Sequence, residues 1–497
     1  NAFANPVEHK DDIFLPKIEA EFINKLIQKC ERLVVTSFGS PYLIQDFLEA
    51  PVYLCAYKGS GILQRAVANG LEGKANITGI LPVTIPEVAA KGTSIQIQAK
   101  KWPIKKTTWK SGQELQRIRA DEISVNISSI KAIIAKALAD SAFPGGVLLA
   151  AKDGKIFIHE AFGHHTYTKK ENVTRGDIYD IASITKVVAT TSAVMRLLEQ
   201  KKLSLDDKVV KHLPAFRGRQ KKYFNQKSNT MIRHLITHTA GLPPFKQYFL
   251  MDGTAISRLD SVMNTEPQSE LEVETIYSDV GLITLGKVVE SISGVPLDSL
   301  VDSIVFNPLG MNSTYYKPPV NRMKRIVPTE YSKLYGETIR GYVHDENAYS
   351  LGGVSGHAGL FSTAKDLATF SQMMLNGGIY GWRRIFKQET VSLFTKRANV
   401  INGSSRALGW DTPDGKSSGG VYLPSSSYGH TGFTGTSLWI DPENQMFVIL
   451  LTNAVHPDRS YKNPKYYDYR QKIHSEVYEV VGITEKNPNL VWRKEWK

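Results

Sequence analysis

Cysteine is nearly missing from this chain, with two in 497 residues, Cys30 and Cys55. One pair of thiols cannot staple a protein of this length, so its stability must come from packing. Both are expected to be buried free thiols, and so low a count is compatible with an oxidising compartment such as the periplasm. Long hydrophobic runs are missing as well. No stretch approaches the ~18–20 apolar residues of a membrane span, and no membrane span is expected. No Walker loop, zinc-ligand spacing or nucleic-acid module is legible, so no metal, cofactor or nucleic-acid partner is expected. An initiator methionine and a charged-then-apolar leader are absent too. The chain opens at Asn1, as a processed exported chain or an excised fragment would.

What is present is a large apolar fraction, 42%, and a formal net charge of +13. The length implies two or three domains, each with its own core. The lysines are scattered, with small clusters at Lys100-Lys101, Lys105-Lys106 and Arg217 to Lys222. Such charge serves as a solvated surface, or attracts an anionic wall polymer or membrane surface.

The pattern along the chain divides it in three. Residues 1–98 read as a small α/β unit, with strands at Leu33–Phe38 and Val52–Tyr57, a short helix between them, and a helix at Ser60–Leu71. That alternation favours parallel strands with crossover helices. Residues 99–121 read as a connector. From 122 to 497 a helix (Ser124–Ser141) precedes a hairpin around Asp153-Gly154, a strong turn signal. A second hairpin, Ser437–Ile440 with Phe447–Thr452, precedes a helix at Tyr469–Val481. The fold class expected is therefore α/β followed by α+β, an antiparallel sheet flanked by terminal helices with a helical subdomain inserted between the hairpins.

Three short motifs carry the chemistry. In Ser183-Ile184-Thr185-Lys186, at the start of a helical run, hydroxyl and amine lie one turn apart on one face. A buried lysine loses proton affinity by desolvation and can serve as base for a serine that is otherwise a poor nucleophile. Tyr277-Ser278-Asp279 and His430-Thr431-Gly432 follow in that order. A serine at a helix start is by itself only a cap; three ordered motifs make more of it.

With these motifs, and with Leu235-Ile236-Thr237-His238-Thr239-Ala240-Gly241-Leu242 and Gly352 to Leu360 between them, the chain from about residue 122 onward resembles the serine beta-lactamase and penicillin-binding-protein superfamily. Its class C branch, with D-alanyl-D-alanine carboxypeptidases and esterases, is the most similar. The resemblance implies Ser183 as nucleophile, and Lys186 as base or as a charge that lowers the pKa of Tyr277, which would relay a proton to the leaving group. Lys186 and a protonated His430 are the candidate cations beside Tyr277. It implies an oxyanion hole from the amides of Ser183 and Phe433, and an edge strand at Thr431 and Gly432 against which substrate lies. Two departures stand out. Asp279 replaces an asparagine that donates its amide to substrate, and it would instead pair with Lys186 or orient a substrate amine. His430 replaces a lysine, giving a pH-dependent cation for a permanent one. His357 is a weaker substrate-binding candidate, His238 reads as structural, and Arg406 and Trp410 could line a pocket.

A second resemblance covers the first unit. Phe38-Gly39-Ser40-Pro41-Tyr42-Leu43, Ala56-Tyr57 and Gly79-Ile80-Leu81-Pro82-Val83 are similar to the C-terminal part of the α/β sandwich domain of family 3 glycoside hydrolases. It implies an upstream glycosidase domain in a longer fusion, and hence a periplasmic or exported enzyme acting on peptidoglycan fragments. The reading is a serine hydrolase working through an acyl-enzyme on D-amino-acid peptides, beta-lactams or small esters. A non-catalytic penicillin-fold module and a glycosidase fragment are the alternatives.

Overall fold

The computed structural model describes residues 17–29, 33–38, 40–57, 61–71, 75–94, 96–97, 112–117 and 125–496, and its contacts divide the chain into two units, Asn1–Lys110 and Ser111–Lys497. In the first unit, helix α1 (Lys17–Lys29) precedes strand β1 (Val34–Ser37), which pairs in parallel with β2 (Val52–Cys55); helix α2 (Gly61–Leu71) follows. The crossover between the strands is a 3₁₀ helix, Pro41–Phe47, opened by Ser40, whose side chain accepts the Tyr42 N–H. Cys55 is half-buried on β2 rather than buried, and Cys30 lies outside the described residues.

The second unit begins with a short strand, β3 (Gln116–Arg117), followed by helix α3 (Ser128–Ala139) and the hairpin β4 (Gly145–Lys152) and β5 (Lys155–Gly163). Asp153 and Gly154 both take positive φ at its turn, 50° and 74°, as a two-residue hairpin loop requires. Next come β6 (Tyr179–Asp180), helix α4 (Ser192–Glu199), helix α5 (Asp279–Ser293), β7 (Tyr315–Tyr316), β8 (Leu360–Ser362) and helix α6 (Ala364–Leu375). The chain closes with β9 (Tyr428–Gly432), β10 (Thr436–Asp441), β11 (Met446–Thr452) and helix α7 (Pro464–Glu479). The main sheet runs β9-β10-β11-β4-β5-β3, antiparallel except for the β3–β5 pair, and β6-β8-β7 form a small second sheet. The edge strand β3 lies within the segment read as a connector.

Both faces of the main sheet are covered, which is why its central strands are apolar throughout rather than alternating. Val147, Leu149 and Ala151 of β4 join Phe447, Ile449 and Leu451 of β11 in a core shared with α4, α5 and α6. Their neighbours Leu148, Ala150, Met446, Val448 and Leu450 point the other way, onto Ile130 and Ile134 of α3 and Tyr466, Ile473 and Val477 of α7. The last helix starts five residues before the predicted Tyr469. Asn463 caps it by accepting the Lys465 N–H and Pro464 occupies its first turn, a start signal that apolar spacing alone does not register. Among the described residues no single helix is long and apolar enough to cross a membrane.

Candidate active site

Ser183 lies in a 3₁₀ turn, Ala182–Ile184, that leads into a π-helical turn, Lys186–Thr191, before α4 begins. Lys186 opens that second turn, three residues beyond Ser183, and its side chain reaches back to the serine oxygen. Its Nζ donates to Ser183 Oγ at 2.8 Å and to the His357 carbonyl at 3.0 Å, and lies 2.7 Å from Asp279 Oδ1. The amine thereby meets three oxygens, with the Tyr277 side chain also beside it. Lys186 is fully buried while Ser183 is partly exposed, so the hydroxyl is the open end of the pair.

Tyr277 and Asp279 flank Ser278, the cap of α5. Ser278 Oγ accepts the Gly281 N–H and donates to the Pro243 carbonyl, and its own N–H donates to His238 Nδ1 at 3.0 Å. Asp279 N–H donates to the Pro244 carbonyl at 2.9 Å. The loop around His238 thus holds the triplet, and His238 packs its ring 4.7 Å from that of Tyr277. Its role in holding backbone is structural, and it also forms one wall beside Tyr277. At α5's first turn the Asp279 carboxylate further meets the positive end of the helix.

The charges settle in a definite way. Burial, the largest influence on Lys186, disfavours its ammonium, but the Asp279 carboxylate and the Tyr277 oxygen outweigh it and the pKa ends above the usual lysine value. Burial raises Tyr277 above the ordinary tyrosine value, Lys186 opposing and Asp279 adding to the rise. At neutral pH the site therefore rests as an ammonium and a phenol, not as a free amine and a phenolate. Of the two roles open to Lys186, the resting geometry favours a fixed charge.

His430 differs from expectation. Burial pushes its pKa down to about 4, and Lys186 and Arg406 repel its proton further despite Asp411, so it is neutral at pH 7. A carbonyl can only accept, so Nδ1 carries the proton that bonds to the Thr431 carbonyl at 2.8 Å. Nε2 keeps its lone pair and has no hydrogen-bond partner among the described residues. The protonated imidazole expected beside Tyr277 is thus replaced by a neutral acceptor. The second cation is Arg406, whose guanidinium carbon lies 5.0 Å from the Tyr277 ring centre and whose Nη1 pairs with Asp411 at 2.6 Å. Trp410 is fully buried and meets Tyr428 edge-on.

A buried histidine held neutral makes stability depend on pH. The contribution is fully present above the unfolded value near 6.5 and is lost as pH falls to about 4. Its size is on the order of 3 kcal/mol. Urea unfolding of His430→Asn between pH 7 and 4 is expected to show a shallower acid loss than wild type; equal slopes would remove His430 from that account.

Thr431 and Gly432 end the edge strand β9 beside the nucleophile turn. A Cβ at Gly432 would meet the Ile181 carbonyl and the Thr436 hydroxyl, so only glycine permits this approach. Phe433 follows with its ring half-exposed, and Lys462 donates to its carbonyl at 2.6 Å. His357 is not open to the cleft. Its Nε2 lies 2.8 Å from Asp345 Oδ1, its Nδ1 2.9 Å from Ser355 Oγ, and it is 1% exposed. A Cβ at neighbouring Gly356 would strike the Leu282 carbonyl of α5, which is why this loop is glycine-rich. Burial would raise Asp345, but His357 outweighs it and holds the carboxyl well below the usual range. Atoms of Asp279, Asp345 and His357 lie within 4.8 Å of one another, a spacing that suits a metal ion, yet the Lys186 ammonium already supplies the positive charge there. Asp345 was not legible as a site residue, and Arg406 was legible as a pocket-lining candidate but not as a cation beside Tyr277. Asp345 caps a short helical turn, accepting the Ala348 N–H, a local role that gives no sign of its contact with His357.

An antiparallel sheet with helices on both faces and a buried lysine on the oxygen of a helix-start serine define a serine-hydrolase type of site. The sequence profile of the Beta-lactamase family matches residues 130–471. A Salmonella gallinarum protein named "Putative D-alanyl-D-alanine carboxypeptidase" is 35% identical over 364 residues, covering 66% of this chain and 82% of that protein. An Escherichia coli protein of the same name is 34% identical over 365 residues, 67% of this chain and 84% of that one. Among solved structures, EstCE1, described as a hydrolase with promiscuous acyltransferase activity, superposes with a TM-score of 0.52 at 22% identity, over 69% of this chain and 97% of that one. A penicillin-binding-protein homologue from Caulobacter crescentus gives 0.57 at 15% identity, over 71% and 97%; both show the fold alone. The chain belongs to the beta-lactamase family, and it is a hydrolase of the fold shared with penicillin-binding proteins.

Proposed function

We propose that this protein is a serine hydrolase that works through an acyl-enzyme on Ser183, with a D-alanyl-D-alanine-type carboxypeptidase or esterase specificity. The observation that carries this is the Lys186 ammonium, buried and shared between Ser183 Oγ and Asp279. In this reading Ser183 attacks a carbonyl, and the amides of Ser183 and Phe433 stabilise the oxyanion. Tyr277, held between Lys186 and Arg406, passes the serine proton to the leaving group. Thr431 and Gly432 offer an edge to an extended substrate, with the neutral His430 as acceptor and Asp279 and His357 holding the charge network behind it. The relatives' names favour D-alanyl-D-alanine peptides as substrates, and we propose peptidoglycan fragments as their source and the bacterial envelope as the location.

We further propose that residues 1–98 form a partial family 3 glycoside hydrolase-like domain, that 99–121 connect it, and that 122–497 are the hydrolase. The parallel β1–β2 pair with its crossover supports the α/β part of this reading. The catalytic barrel of that glycosidase family has no counterpart in the sequence, so the segment should lack glycosidase activity.

One panel tests the reading. Intact-mass spectrometry follows incubation with a penicillin, a D-Ala-D-Ala peptide and a p-nitrophenyl butyrate ester, alongside nitrocefin and p-nitrophenyl N-acetyl-β-D-glucosaminide assays. Ester or D-peptide turnover is expected, with slow nitrocefin hydrolysis because Asp279 lacks an amide donor, and no release from the glucosaminide. A nitrocefin kcat/KM at or above ~10⁶ M⁻¹s⁻¹, toward the efficient end of enzymes generally, would instead make the protein a lactamase.

A further inference from the structure

Asp180, at the end of β6, is 2% exposed and belongs to none of the three motifs. Its Oδ1 accepts the Ala182 N–H at 2.8 Å, and its Oδ2 accepts the His344 N–H at 2.7 Å. Its carbonyl accepts the Thr434 hydroxyl at 2.7 Å. One residue thereby joins three segments. Ala182 directly precedes the candidate nucleophile, Thr434 directly follows Phe433, and His344 precedes Asp345, the partner of His357.

The first of these links holds a strained conformation. Ala182 has φ +46°, the left-handed region that a residue with a Cβ adopts only at a cost. That turn aims the Ser183 amide and hydroxyl. The second link pulls the end of β9 onto the same turn, reinforced by the Thr436 hydroxyl on the Ile181 carbonyl at 3.2 Å.

We propose that Asp180 is a positioning residue which holds the strained Ala182 turn and so sets the spacing of the two amides, Ser183 N–H and Phe433 N–H, that receive the oxyanion. The proposal rests on the reading of Ser183 as the acylated residue. Burial costs the Asp180 carboxylate free energy, and the two backbone N–H groups are what it gains in return. In Asp180→Asn the side chain can accept only one of them and turns a donor toward the other. The amides should then drift from their common target while the substrate-lining strand stays in place.

The test is a kinetic cycle on the full chain with a p-nitrophenyl ester, plus inhibition by phenylboronic acid, whose tetrahedral adduct uses the same two amides. Asp180→Asn is expected to lower kcat about 10²-fold, the scale of a misplaced catalytic group, with KM within about threefold. Boronate affinity should fall in parallel. Ala182→Gly removes the strain, because glycine takes positive φ freely. Placed in the Asp180→Asn background it should restore kcat by roughly tenfold, matching the left-handed penalty; Ala182→Gly alone is the reference of the cycle. An unchanged kcat in folded Asp180→Asn, or no recovery in the double variant, would overturn the proposal. If Asp180→Asn does not fold, Thr434→Val tests the other link. It should lower kcat and boronate affinity roughly tenfold at steady KM, and unchanged values would equally overturn the proposal. A wild-type protein that no probe acylates would remove the Ser183 reading, an outcome distinct from both.

Discussion

Replacing Ser183 by alanine is expected to end covalent labelling by penicillin and by a fluorophosphonate, and to lower ester kcat/KM on the order of 10⁵- to 10⁶-fold. That is the scale at which loss of an oxygen nucleophile is felt when the surrounding site survives. The survival follows from the geometry. Ser183 is partly exposed, and without its oxygen Lys186 still has Asp279 and the His357 carbonyl as partners. Stability should therefore stay within about 1 kcal/mol of wild type, as for most substitutions that break no buried network. A small residual rate is expected, since the oxyanion amides and the binding edge persist. Peptide mapping of the wild-type adduct should place the label on Ser183. Labelling that continues at the wild-type rate in Ser183→Ala would assign the chemistry to another residue.

Lys186→Met should be nearly as damaging to activity and, unlike Ser183→Ala, should also destabilise the fold. The ammonium is fully buried and lies between Asp279, Tyr277 and Ser183. Removing it leaves the Asp279 carboxylate facing an apolar side chain. Breaking a buried pair from one side costs about 3–5 kcal/mol, and because the Asp279 side chain is 21% exposed the loss here should be nearer about 2–3 kcal/mol. Activity should fall by about 10³-fold or more, since the serine loses its charged neighbour and the phenol keeps only Arg406. The double variant Lys186→Met/Asp279→Asn separates the two effects. It should recover most of the lost stability, because no unpaired charge remains, and almost none of the activity. Recovery of activity along with stability would mean that Lys186 serves only to neutralise Asp279. Urea unfolding and ester kinetics on the four proteins of the cycle give both answers.

Elements with a local cause were readable from the chain. Asp153-Gly154 specified its hairpin because both residues tolerate positive φ, and the apolar runs of β4 and β11 specified strands. The nucleophile motif was readable because a helical turn fixes the relation of Ser183 to Lys186 whatever surrounds it. The start of α7 was missed because a cap and a proline, rather than apolar spacing, decide it.

Long-range electrostatics was readable only in part: the pairing of Asp279 with Lys186 was among the expectations, and the resulting protonation states were not. The resemblance carried by the three ordered motifs pointed to the family and the fold class, and the local spacing of Ser183 and Lys186 pointed to the candidate nucleophile, because short motifs are legible without the fold. Only the tertiary structure decided that Lys186 is charged rather than a free base, that His430 is neutral, and that Arg406 stands in as the second cation beside Tyr277. Each of those outcomes depends on burial and on partners brought from distant segments, such as Asp279 against Lys186 or Arg406 against Tyr277. Desolvation and Coulomb attraction act through space, and space is assigned only when the sheet and its helices have packed.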